Sequence, residues 1–241
     1  MNCAEEPGLR GAACPRVILG FDPGGKTNKS FAWAILQDAA AAPLLPPQTG
    51  RADHAEDAFQ QLSSRVGTNL GSVVAVGVDS PLTWVPDDAR QVDAVVRAQG
   101  ATALTVNSLQ GSCIAQGPMI ARLVHDAWSE AQITEAHPKA SLFVWPNLLS
   151  TYFDVWSPSS EHERDAAIAA VAAWAMRHND TRWQDIGANC DSKALWPLLS
   201  HRPAYWFPLP TSARQGSAPA ASPTSASPSA ETAASTGKPA R

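Results

Sequence analysis

The chain has 241 residues, of which 44% are hydrophobic and 17% charged, as is usual for a globular protein with a substantial core. Its formal net charge of −4 argues against a broadly basic surface that coats nucleic acid, but it does not exclude a nucleic-acid enzyme with a local site. No apolar run approaches the roughly 18 residues that a membrane span requires.

The cysteines and the first residues of the chain indicate the cellular compartment in which the protein is expected. Four cysteines are scattered without a C-x-x-C pair, which indicates reduced thiols rather than a disulfide framework or a zinc site. The N-terminal residues lack the apolar core of a signal peptide. We therefore expect a cytoplasmic protein that does not enter a membrane.

Composition divides the chain into three parts. Residues 1–14 are small, charged and aperiodic, which predicts a mobile leader. Residues 15–210 carry the periodic apolar segments and form the predicted domain. Residues 211–241 are rich in Ser, Ala and Pro and have almost no large apolar side chain. Burial there cannot offset the entropy lost on ordering, so we predict a disordered tail.

Hydrophobic periodicity predicts a mixed sheet of five strands flanked by helices. The strands have nearly continuous or alternating apolar residues; they lie at Arg16–Asp22, Phe31–Leu36, Val73–Val78, a short segment from Ile133, and Ala204–Pro208 as the last edge strand. The main helices have apolar residues at helical spacing; they lie at Ala52–Val66, Asp87–Ala98, Gln116–Glu130 and Ser159–Met176. A capping box at Ser160 and Glu163 is predicted to begin the last of them.

Two of these apolar strands end on a carboxylate. Asp22 precedes a Pro-Gly-Gly turn and a second strand, and Asp79 precedes Ser80-Pro81. Either acid alone could be a turn or cap residue. Both together are typical of the ribonuclease H-like fold, in which the first and fourth strands are neighbours. Carboxylates at that range repel unless a divalent ion such as Mg²⁺ or Mn²⁺ lies between them.

Further polar residues could complete or surround such a site. Glu135 and His137 follow the short strand from Ile133, and Asp165 lies in the first turns of the Ala-rich helix. An acid at that position would also complement the helix dipole. Arg90 and Arg97 share a helix face, where they could bind phosphate or pair with an acid between them.

One motif favours a different function. Gly20–Thr27 fits the phosphate-loop pattern G-x-x-x-x-G-K-[ST], with Lys26 and Thr27 as the nucleotide-binding residues. Such a loop must lead directly into a helix, whose N-terminus faces the phosphates. Residues 31–36 instead alternate large and small side chains, as a strand does.

The chain resembles the bacterial family called domain of unknown function 429, which consists of predicted nucleases of ribonuclease H-like fold. The resemblance covers about Arg16 to Pro210, and its most specific part is Glu135-Ala136-His137-Pro138, similar to the family's Glu-Val-His-Pro signature. The other parts are the opening hairpin from Gly20, Val78-Asp79-Ser80-Pro81, the R-x-x-D-x-x-x-R pattern from Arg90, Asp165-Ala166 and Tyr205-Trp206-Phe207-Pro208. Lys139 departs from the family, which usually has Glu there.

We therefore expect an α/β domain of ribonuclease H-like fold that hydrolyses phosphodiester bonds of DNA or RNA. Asp22, Asp79 and Asp165 would bind Mg²⁺ or Mn²⁺, with Glu135 as a candidate fourth acid. His137 would orient water or ligand, while Arg90 and Arg97 are the candidates for substrate binding. Two alternatives stay open: a phosphate-loop nucleotide hydrolase and a non-catalytic ribonuclease H-like binding domain.

Overall fold

A computed structural model describes residues 15–24, 29–67, 72–86, 90–103, 111–190, 194–196 and 198–210. The predicted leader, the predicted tail and residues 25–27 of the phosphate-loop pattern lie outside the described residues. Among the helices described, none combines the length and the apolar character needed to cross a membrane.

In the described residues, seven strands form one mixed sheet in the order β3-β2-β1-β4-β5-β7-β6. The strands are β1 (Val17–Pro23), β2 (Phe31–Gln37), β3 (Gln48–Ala52), β4 (Val73–Val78), β5 (Gln132–Glu135), β6 (Trp183–Asp185) and β7 (Ala204–Pro208). Strands β1, β2 and β3 pair antiparallel, as do β6 and β7. The pairs β1–β4, β4–β5 and β5–β7 are parallel. The α/β class is therefore confirmed.

The predicted number of five strands is wrong, because β3 and β6 also join the sheet. Strand β3 has the sequence Gln-Thr-Gly-Arg-Ala, which lacks an apolar alternation and becomes a strand by pairing with β2. Strand β6 has only three residues and pairs with β7. Strand β7 consequently lies inside the sheet rather than at its edge.

The segment after the Pro-Gly-Gly turn is a strand. Phe31–Gln37 forms β2 and pairs antiparallel with β1, with Asp22 opposite Ala32. The first strand and the second therefore form the predicted hairpin. A phosphate loop would need a helix at this point of the chain, and β2 occupies it.

Six helices are described: α1 (Ala55–Val66), α2 (Gln91–Ala98), α3 (Gly111–Ala127), α4 (Pro138–Val144), α5 (Leu148–Tyr152) and α6 (Glu161–His178). The four predicted helices appear as α1, α2, α3 and α6 with shifted ends, while α4 and α5 were not predicted. Helix α1 begins later than predicted because His54 caps it: its Nδ1 accepts a hydrogen bond from the Asp57 N–H at 3.2 Å. The predicted cap of α6 is present, with the Ser160 hydroxyl accepting from the Glu163 N–H at 3.2 Å.

Helix α6 packs directly on the centre of the sheet. Gly20 of β1 and Gly77 of β4 are register partners, and neither has a side chain to hold the helix away. A Cβ at Gly20 would overlap the Ala166 carbonyl oxygen, and one at Gly77 would overlap that of Ala169. The body of α6 is almost entirely alanine and fully buried. Small side chains on both surfaces therefore set a short distance between helix and sheet.

This packing predicts the effect of adding one methyl group. Gly77→Ala should lower the free energy of unfolding by about 3 kcal/mol, because backbone atoms of α6 must move to admit the Cβ. Gly111→Ala is the control, since a Cβ at Gly111 meets no atom within 4 Å. Urea denaturation followed by circular dichroism measures both. A Gly77→Ala variant as stable as the control would contradict the close packing.

Candidate functional site

Three acids are brought to one end of the sheet by three different elements. Asp22 lies near the end of β1 and is almost fully buried. Asp79 directly follows β4, and its N–H donates to the Phe21 carbonyl at 2.8 Å, which ties it beside β1. Asp165, only 2% exposed, belongs to the second turn of α6, next to the alanines that cover Gly20 and Gly77.

The charges of the three acids act on one another. Removal from water, followed by the charges of Asp22 and Asp165, raises the pKa of Asp79 well above its ordinary value. Burial raises the pKa of Asp165 to about 6, and the charge of Asp22 adds to this effect while Arg164 opposes it. Asp22, Asp79 and Asp165 thus form one electrostatic cluster, which we call the carboxylate cluster.

Cationic side chains border the carboxylate cluster. Arg164 Nη2 lies 2.7 Å from Asp165 Oδ1. The Lys139 ammonium pairs with Glu161 at 3.1 Å, and its charge also acts on Asp79 and Asp165. Lys139 therefore supplies positive charge beside the acids.

His162 is a member of the site that sequence reasoning missed. Its Nδ1 lies 2.6 Å from Asp22 Oδ2, and this hydrogen bond raises the pKa of His162. The helical spacing could have revealed His162, because His162 and Asp165 are three residues apart on α6 and share a helix face. The imidazole side chain is 39% exposed, so solvent reaches this contact.

The donor chemistry of the carboxylate cluster suits Mg²⁺ or Mn²⁺, which prefer oxygen ligands. The arrangement of side chains is not that of a formed metal centre. Within the described ranges, no three His, Cys, Asp or Glu side chains are grouped so that they could hold one ion. Asp22 is instead hydrogen-bonded to His162, and Asp165 to Arg164.

Glu135 is part of a separate buried network. Its Oε2 lies 2.7 Å from Arg90 Nη1, and Arg90 Nη2 lies 2.7 Å from Asp93 Oδ1. Glu135 Oε1 also accepts from the N–H groups of Leu82 and Thr83, at 2.7 and 2.8 Å. Both carboxylate oxygens of Glu135 are thereby occupied. The charges of Glu135 and Asp93 raise the pKa of Arg90 despite its burial, so the arginine stays ionised.

The remaining predicted residues lie around this second network. His137 Nδ1 is 3.4 Å from the Tyr205 hydroxyl, and burial lowers the pKa of His137 to about 4, which makes the imidazole neutral at pH 7. Arg97 is exposed, and its guanidinium donates to the Ala103 carbonyl at 3.0 Å. The structure thus places Asp22, Asp79 and Asp165 at one end of the sheet. Arg90, a predicted substrate-binding residue, forms buried ion pairs with Glu135 and Asp93. The catalytic and substrate-binding roles of these residues stay predictions.

In comparisons with family models, curated proteins and solved structures, no match to this chain was found.

The burial of Asp79, together with the charges of Asp22 and Asp165, predicts that replacing this carboxylate stabilises the metal-free protein. A raised pKa means that the folded state keeps a proton which the unfolded chain releases near pH 3.8, so stability falls as the pH rises above that value. Asp79→Asn removes this penalty. In EDTA at about pH 7.5 its melting temperature should exceed that of the wild type by at least about 3 °C, with a smaller gain at about pH 5.

The matched control is Asp126→Asn, because Asp126 is exposed and pairs only with Arg122 in the part of the chain described. Its melting temperature should change little at either pH. Differential scanning calorimetry measures all three proteins. A lower melting temperature for Asp79→Asn at the higher pH would rule out net repulsion at this position.

The buried network predicts a large cost for losing Glu135. Glu135→Ala should destabilise the protein by about 3 kcal/mol, because Arg90 stays buried with one of its two acids missing. Glu130→Ala, at an exposed position, should change the stability by less than about 0.5 kcal/mol. Urea denaturation measures both. A loss below about 1 kcal/mol for Glu135→Ala would show that the ion pair is not needed for folding.

Proposed function

We propose that the protein is a metal-dependent nuclease that hydrolyses phosphodiester bonds at the carboxylate cluster. One observation carries this proposal: β1 and β4 pair side by side with Asp22 and Asp79 at their ends, and α6 packs on Gly20 of β1 through Ala166, the residue after Asp165. Three acids in such proximity destabilise a protein that has no use for them. A divalent ion would remove this cost and use the same oxygens as ligands.

The fold that accompanies this proposal is the ribonuclease H-like fold. Its support is the pairing of the first and fourth strands, β1 and β4, with an acid at the end of each, and the antiparallel hairpin formed by β1 and β2. The resemblance to the domain of unknown function 429 family, whose members are predicted nucleases of this fold, also supports the proposal.

Asp22, Asp79 and Asp165 are the residues that would hold the metal, and Asp22 also accepts a hydrogen bond from His162. When bound, Mg²⁺ or Mn²⁺ supplies an activated water and offsets the charge that develops on the phosphate oxygens. Lys139 and Arg164 would hold the substrate phosphate beside the cluster by charge attraction.

The structure gives the two alternatives unequal support. For the phosphate-loop hydrolase the sequence motif remains, but β2 lies where the helix would have to begin, which weighs against it. The non-catalytic binding domain differs from the proposed nuclease in having no functional metal site. Titration with Mn²⁺ therefore separates it from the nuclease.

Calorimetric titration with Mn²⁺ tests the metal site. The wild type should release or absorb heat on binding, and the double variant Asp22→Asn/Asp79→Asn should not. Asp126→Asn should behave as the wild type. No heat from the wild type would exclude a metal-dependent function for this cluster.

Cleavage of labelled DNA and RNA oligonucleotides in Mg²⁺ or Mn²⁺ tests the activity. Asp79→Asn should reduce cleavage to background, whereas Lys26→Ala should leave it unchanged. Loss of cleavage in Lys26→Ala, accompanied by ATP or GTP binding in the wild type, would favour the nucleotide hydrolase instead.

A further inference from the structure

An apolar pocket adjoins the carboxylate cluster. Its volume is about 350 Å³, within the range of small-molecule sites. The segment that follows β4, Pro81–Trp84, forms one wall, and Ile114, Pro118 and Ala121 of α3 form another. Trp84 lines the pocket and is 46% exposed.

Residues adjacent in sequence connect the pocket to the acids. Pro81 is only two residues beyond Asp79, and Ile114 directly follows Cys113. The charges of Asp22 and Asp79 act on the Cys113 thiol and, together with burial, raise its pKa. The Ser80 hydroxyl joins the two walls by donating to the Cys113 carbonyl at 3.0 Å. A ligand in the pocket would therefore lie beside the carboxylate cluster.

Most backbone polar groups of Thr83 and Trp84 in the Pro81–Trp84 wall already make hydrogen bonds within the protein. The Thr83 N–H and hydroxyl donate to Glu135, and the Thr83 carbonyl accepts from Arg90. The N–H and carbonyl of Trp84 bond to Leu195, at 2.8 and 2.7 Å. This wall can offer an occupant an aromatic face and apolar contact, but few hydrogen bonds. The network around Glu135 also fixes the wall in place before any ligand arrives.

We propose that this pocket binds an unpaired base of a nucleic-acid substrate by stacking on Trp84, next to the phosphate to be cleaved. The inference rests on the proposed function and specifies its substrate class: single-stranded nucleic acid, or a duplex with locally unpaired bases. Stacking on an aromatic side chain tolerates any base, because every base has a π-face. A wall that offers mainly an aromatic face and apolar contact suits such sequence-tolerant binding. Base-paired duplex cannot place a base in the pocket without unstacking it.

Binding of fluorescein-labelled single-stranded DNA and RNA to the full chain in EDTA tests the pocket by fluorescence anisotropy. Trp84→Ala should weaken binding about tenfold, and Trp84→Phe should restore most of it, since a smaller aromatic ring still stacks. Phe143→Ala is the control, because Phe143 is an aromatic residue 60% exposed outside the pocket. A fully paired duplex of the same sequence should bind more weakly than the single strand and should not respond to Trp84→Ala.

The outcomes separate this inference from the proposed function. Equal single-strand affinity of Trp84→Ala and wild type overturns the pocket, even if Asp79→Asn still abolishes cleavage. Trp84-dependent binding supports the pocket even if no metal-dependent cleavage is found. Displacement of an apolar dye from the pocket by an apolar peptide, and not by the oligonucleotides, would identify a protein-binding surface and overturn the inference.

Discussion

The contact between helix α6 and the paired glycines of β1 and β4 determines where Asp165 lies relative to the acids at the strand ends. Gly20 and Gly77 let the alanine backbone of α6 lie directly on the sheet. Asp165 precedes the first of these alanines by one residue, so the same contact places its carboxylate beside the strand ends. Larger residues at the glycines would lift the helix and carry Asp165 away from Asp22 and Asp79.

The candidate site consists of two polar groups with different electrostatic balance. In the network of Glu135, Arg90 and Asp93, opposite charges and backbone N–H groups compensate one another, as burial requires. In the carboxylate cluster the acids outnumber the cations in direct contact with them. The first group therefore holds the Pro81–Trp84 segment in place. The second group is where binding of an external cation would be most favourable, because its negative charge is the less compensated.

The sequence predicted those features that depend on strong local patterns. Apolar runs that end in acids revealed β1, β4, Asp22 and Asp79, and large–small alternation revealed β2. Strand β3 was missed because Gln48–Ala52 has no apolar pattern and takes its conformation from β2. The sequence placed Glu135 at the end of a short strand. It did not predict the hydrogen bonds of Glu135 with Arg90 and Thr83, because these residues are distant in sequence. His162 was overlooked although its helical spacing from Asp165 is regular.

The described sheet ends on its two least hydrophobic strands. Strand β3 contributes Gln, Thr, Gly and Arg to one edge, and the three-residue β6 forms the other. The hydrophobic strands β1, β2 and β4 are paired on both sides. A long apolar strand with free N–H and carbonyl groups would invite pairing with another molecule. Short, polar edge strands thus protect this protein from edge-to-edge aggregation.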